Sequence, residues 1–238
     1  MKNFIPLFIF LALFSCTKNT ENNSSTITNS EVIIIGAMKN VMRKGELHGN
    51  IFLDTLANKN GLYGLGPVSF LTGEILVING ESYVSQVTSD TTMKVHKRYD
   101  ISAPFFVYSY VSDWKEVKLS TNVKTINDLQ DFIKESAPIS DEPFVFQLKG
   151  KVSKALIHIQ NLPKGTKVSS PEDAHKGQKK YTILDEEADI IGFYSTRHQG
   201  IFTHHDSYLH MHLITKNKTK MGHLDELQID NMTLYLPN

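Results

Sequence analysis

Between residues 31 and 238 the chain is cut into short apolar or alternating runs, most of them closed by turn-forming residues. A chain divided in this way buries its apolar side chains chiefly by pairing strands. Glu31 to Ile35 is a β-branched run, and Glu74 to Ile78 and Glu81 to Val87 flank Asn79-Gly80, a strong hairpin signal. Phe105 to Val111, Ile183, Ile190 to Tyr194, Tyr208 to Thr215 and Asp225 to Leu236 are further expected strands. Phe144 to Lys149 and Lys154 to Gln160 alternate like two paired strands joined around Gly150. Helical spacing is limited to Ala37 to Arg43, ended by Gly45, a short pattern in Leu47 to Leu56, and Ile126 to Ser136. Thr125 or Asn127 is placed to cap the last of these. Gly61, Gly64 and Gly66 do not have the spacing of a nucleotide loop and are expected in tight turns. Pro163 to Lys180, rich in Lys, Ser, Gly and Pro, is expected to be a solvated connection. An α+β or mainly-β class follows.

The balance of 25 basic and 25 acidic residues gives no net charge, which argues against nucleic-acid binding through a large basic field. The single cysteine, Cys16, excludes a disulfide framework and any cysteine zinc site in the body. Its position is informative. Lys2 precedes an apolar run from Phe4 to Phe14, too short to span a bilayer, which needs about 20 apolar residues. The run ends in Leu13-Phe14-Ser15-Cys16, which resembles the lipobox of bacterial lipoproteins. We therefore expect residues 1–15 to be a signal peptide, Cys16 to be acylated, and residues 16–30 to be a polar tether. Residues 31–238 would then form an exported domain anchored to a lipid bilayer, in the periplasm or at the cell surface.

Five of the ten histidines fall between His204 and His223. In Tyr208-Leu209-His210-Met211-His212-Leu213-Ile214, a strand puts His210 and His212 on one face. After the Lys216 to Lys220 turn, His223 can return beside them. Three imidazoles with an open fourth position is the ligand count of a catalytic zinc. Spacing alone leaves a second reading open, of surface histidines on an exposed strand plus an unrelated loop histidine. His204, His205 and Asp206 are expected to be solvated.

The body also resembles the alpha-acetolactate decarboxylase family, over about residues 33 to 236. The resemblance is carried by Gly64-Leu65-Gly66-Pro67, Thr72-Gly73-Glu74, Asn79-Gly80-Glu81, Ser102-Ala103-Pro104-Phe105 and Ile191-Gly192-Phe193-Tyr194. His210-Met211-His212 and Met221-Gly222-His223 match the family's metal ligands, with the same gap between the second and third. The resemblance implies an α+β fold of two strand-rich lobes, with mixed and antiparallel sheets and the metal in the carboxyl-terminal lobe. It implies zinc-dependent loss of carbon dioxide from 2-acetolactate, or a similar small hydroxy-keto acid, to give acetoin. Glu74 matches the family's active-site glutamate; its residue type alone would suggest an exposed strand glutamate. A homodimer is compatible with this reading. Three departures accompany the matches. His158 stands where the family has a substrate-binding arginine, with Lys154 and Arg197 as candidate replacements; Pro67 stands for a threonine; and the family's carboxyl-terminal tail, with its second glutamate, has no counterpart before Asn238. These departures make a small-ligand-binding lipoprotein without turnover the alternative expectation.

Overall fold

The computed structural model describes residue 1 and residues 31–136 and 141–238. The expected signal peptide, Cys16 and the tether lie outside the described residues. In chain order the elements are β1 (Val32–Ile35), α1 (Met38–Lys44), β2 (Ile51–Phe52), β3 (Leu62–Pro67), β4 (Glu74–Ile78), β5 (Glu81–Val87), β6 (Met93–Lys97), β7 (Ser102–Ala103), β8 (Phe106–Tyr110) and β9 (Trp114–Lys118). There follow α2 (Ile126–Ser136), β10 (Phe144–Ile159), α3 (Pro171–Ala174), β11 (Lys179–Tyr194), β12 (Leu209–Thr215) and β13 (Met221–Pro237).

Two antiparallel sheets hold the chain together. The first runs β1-β8-β3-β4-β5-β6, and the second β10-β11-β12-β13-β9. Because β13 pairs with β10 as well as β12, the second sheet closes on itself. Tyr63, Leu65, Leu76 and Tyr83 of the first sheet pack against Val145, Ile191, Phe193 and Ile214 of the second, fusing the two lobes in one core. A second apolar cluster joins the closed sheet to Leu129 and Ile133 of α2. Strand-rich α+β architecture is therefore what the chain adopts, although the sheet that carries His210, His212 and His223 recruits β9 from the middle of the sequence.

Local signals explain several boundaries. Asn79 and Gly80 both adopt positive φ, 45° and 79°, as a two-residue hairpin turn requires. Gly45 ends α1 in the left-handed conformation. Thr125 caps α2: its hydroxyl accepts from the Asp128 amide, while the Asp128 carboxylate accepts from the Thr125 amide.

Other expectations are corrected. Phe144 to Gln160 is not a hairpin. Phe144–Ile159 forms one sixteen-residue strand, in which Gly150 (φ 140°) stays paired with Ala188 and Met232, its missing side chain admitting the Asn231 carbonyl, and the register shifts just after it, from Lys151 to Lys154. Gly64 and Gly66 lie inside β3 under Phe106 rather than in turns. Within Leu47 to Leu56 the chain makes β2 and one 3-10 turn, Leu53–Thr55. The Pro163 to Lys180 segment is not merely solvated: Val168 and Ala174 are buried against Met38 and Val41 of α1.

Candidate metal centre and active site

Register brings the histidines together. His223 of β13 pairs with His212 of β12 on one side and with His158 of β10 on the other. His210, two residues before His212, shares its face. All of these rings are buried.

His210, His212 and His223 each offer a nitrogen within 4.8 Å of the others. Their ring centroids are separated by 5.2, 4.9 and 5.4 Å. Three imidazoles on a tetrahedral zinc, with bonds of about 2.05 Å and a ring radius of about 1.1 Å, have centroids about 5.2 Å apart. The residues fit such an ion. The backbone of Phe202 faces His210 and that of Ile75 faces one nitrogen of His212, which leaves the other His212 nitrogen without a partner among the described residues, a costly state for a buried polar atom unless something binds there. Burial, reinforced by neighbouring imidazoles, holds all three rings well below the ordinary histidine range, His212 at about 3. They are thus neutral, as metal ligands must be. An all-imidazole set suits zinc and other transition metals rather than magnesium or calcium.

Glu74, at the start of β4, reaches into this cluster from the other sheet. It is 2% exposed, so the exposed-strand alternative is excluded. One oxygen lies 3.7 Å from His212 Nε2, and the other accepts from the Gln160 amide at 3.1 Å. Burial raises its pKa well above the usual carboxylate value; the Gln160 amide opposes this and the Asp225 charge adds to it.

His158 lies with its ring 4.5 Å from that of His223. Its Nδ1 is 2.6 Å from Asp225 Oδ1, and the second Asp225 oxygen is 3.1 Å from Lys180 Nζ. Neither proposed replacement cation is here. Lys154 faces Glu226 at 3.9 Å and Arg197 pairs with Glu142 at 3.0 Å, both partly exposed. Asp225 and Lys180 were missed because they act only through the cross-strand register of β10, β11 and β13.

His204 is a correction. Its Nε2 lies 3.2 Å from that of His223, so it belongs to the cluster, whereas His205 and Asp206 are exposed as expected. A small cavity of about 30 Å³ is lined by Glu74, His158, His210, His223, His204 and Pro67, among others. A larger cleft of about 320 Å³, bordered by α2, also reaches His204, His223 and Asp225.

A family model described as Alpha-acetolactate decarboxylase matches residues 35–238. The chain belongs to the alpha-acetolactate decarboxylase family. The alpha-acetolactate decarboxylase of Brevibacillus brevis is 26% identical over 197 residues, 82% of this chain and 66% of that protein. The chain therefore matches slightly under two thirds of that relative's length. The Lactococcus lactis subsp. cremoris alpha-acetolactate decarboxylase is 25% identical over 179 residues, 74% of this chain and 71% of its own. The solved alpha-acetolactate decarboxylase of Bacillus subtilis strain 168 shares the fold, with a TM-score of 0.70 at 19% identity, covering 88% of this chain and 86% of that one. A Staphylococcus aureus protein of unknown function, similar to alpha-acetolactate decarboxylase, gives 0.73 at 15% identity, covering 87% and 85%. Within this family fold, both sheets of the present chain contribute to one buried histidine–glutamate centre.

Proposed function

We propose that the protein decarboxylates 2-acetolactate, or a similar 2-hydroxy-3-keto acid, to acetoin, with zinc held by His210, His212 and His223. The observation that carries this reading is the set of three buried, neutral imidazoles spaced for one ion, with the Glu74 carboxyl 3.7 Å from the second of them. Zinc bound there would supply Lewis acidity to the substrate's hydroxyl and carbonyl oxygens. The chain's own residues account for the remainder. Glu74, buried 3.7 Å from His212, is the carboxyl placed to deliver a proton to the substrate carbon that becomes basic as carbon dioxide departs. Asp225 occupies Nδ1 of His158, leaving Nε2 as the nitrogen free to bond substrate oxygen. One imidazole offers one such bond, where a guanidinium would offer a fork. Met38 and Phe105 give the small cavity an apolar wall.

The test is direct. Zinc-loaded protein given racemic 2-acetolactate should release carbon dioxide and acetoin in equal amounts, and His210→Ala should not. Binding of the acid without release of carbon dioxide would overturn the assignment.

We further propose, from the sequence alone, that Cys16 is acylated after export. The full chain should then partition with membranes, and Cys16→Ser should not.

A further inference from the structure

His204 is unaccounted for by a three-histidine centre. It lies in the segment between β11 and β12, and it borders both the small cavity and the larger cleft. The segment is fastened around it. The amides of Met38 and Lys39 in α1 donate to the carbonyls of Ile201 and Gly200, and Gln199 Nε2 donates to the His205 carbonyl. His204 is therefore held at the site by bonds on either side.

Its Nε2 is 3.2 Å from His223 Nε2, with ring centroids 5.0 Å apart. Two imidazole nitrogens on one tetrahedral zinc are about 3.3 Å apart, with centroids about 5.2 Å apart. The His204–His223 pair has the dimensions of one edge of that tetrahedron. The other edge measured, His204 to His210, has centroids 6.5 Å apart, and His204 stands outside the set of nitrogens that lie within 4.8 Å of one another, so closing the fourth vertex needs its loop to move inward by more than about 1 Å.

We propose that His204 is a fourth imidazole ligand of the metal in the substrate-free protein, closing a coordination sphere that three histidines alone would leave open. This rests on the zinc reading above. The ring also borders the 320 Å³ cleft, so the proposed fourth ligand is the one a small acid arriving there would meet.

The experiment is X-ray absorption on zinc-loaded, substrate-free protein, counting imidazoles, with zinc affinity measured by chelator competition. Four imidazoles are expected in the wild type and three in His204→Ala, with a zinc affinity about 10- to 100-fold weaker. His204→Gln, which retains a hydrogen-bonding side chain toward His223, should also show three and guards against misfolding in the alanine variant. Added imidazole should return the alanine variant to four, and His205→Ala should match the wild type. Three imidazoles in wild type and variants alike, with zinc still bound, would overturn the role of His204 and leave the zinc reading standing. Failure of the wild type to bind zinc would overturn both.

Discussion

Asp225 Oδ1 lies 2.6 Å from His158 Nδ1 while its other oxygen faces the Lys180 ammonium at 3.1 Å, so one carboxylate both orients the imidazole and is itself held in place. Burial pushes the Asp225 pKa up, but the His158 hydrogen bond and the Lys180 charge together outweigh it and keep the group below the usual carboxylate value. His158→Ala should lower acetoin formation by about 10²-fold, the lower end for an oriented acid–base group. Asp225→Asn, which keeps the shape but loses the charge, should give a smaller loss in kcat. Steady-state rates of both variants check this; equal activity to wild type in His158→Ala would remove His158 from the mechanism.

Glu74 should separate chemistry from folding. In the fold its raised pKa means that stability contributed by the proton is lost as pH rises from the unfolded value near 4.5 toward the folded value. Near pH 7 a neutral side chain of the same size is therefore tolerated. Glu74→Gln should keep the thermal transition of the metal-free protein unchanged or higher while reducing acetoin formation by about 10²-fold or more. A variant that unfolds would show instead that Glu74 is needed to hold the two sheets together.

What the sequence disclosed divides along physical lines. His210, His212 and His223 were legible because a period-2 strand and a short turn fix their relative placement within fourteen residues. The Asn79-Gly80 hairpin and α2 were legible for the same reason, since each is specified locally. β6 and β9 were not, because Met93-Lys94-Val95-His96-Lys97 and Trp114-Lys115-Glu116-Val117-Lys118 are edge strands whose charged residues mask the apolar alternation. Gly150 reads as a turn in sequence and is a paired position inside β10 in structure, where the Asn231 backbone approaches too closely for a side chain. His204 reads as a polar-loop residue, and only the folding of its segment onto α1 brings it to His223. The contacts of His158 with Asp225, 67 residues away, and of Gln160 with Glu74, 86 residues away, have no local signature at all.

Metal should stabilise the protein strongly, since it binds a site that exists only in the folded state. Zinc at about 1,000 times its Kd adds about 4 kcal/mol. At about 2–4 °C per kcal/mol for a chain of this size, the midpoint should rise by roughly 8–16 °C. His212→Ala should abolish the rise. A zinc-induced shift that survives in this variant would place the ion elsewhere.

The metal-free protein should be acid-sensitive through the same histidines. Burial depresses the folded pKa of His210, His212 and His223, so each contributes stability that is intact above the unfolded value of 6.5 and is lost as pH falls below it, for His212 down to about 3. Each group in its window costs about 1.4 kcal/mol per pH unit. Denaturant titrations at pH 7.5, 6 and 5 should show progressive loss, and His212→Phe should flatten the slope.

Gly192 lies opposite Phe146 on β10 and Met211 on β12, the residue between two of the proposed ligands. A Cβ at position 192 would meet the Phe146 ring at 2.2 Å, and that ring is fully buried, so it has nowhere to move. Gly192→Ala should therefore cost about 1–3 kcal/mol by overpacking. It should also weaken zinc binding, because β11 can relieve the clash only by displacing β12 and with it His210 and His212. Phe146→Leu alone should destabilise by a similar amount, through the space it leaves. Combined with Gly192→Ala it should recover part of the loss, since the added methyl enters that space. Denaturant midpoints of the two single variants and the double variant measure the coupling, expected at about 0.5–3 kcal/mol in the favourable direction. Strict additivity would show that the ring does not press on the ligand strand.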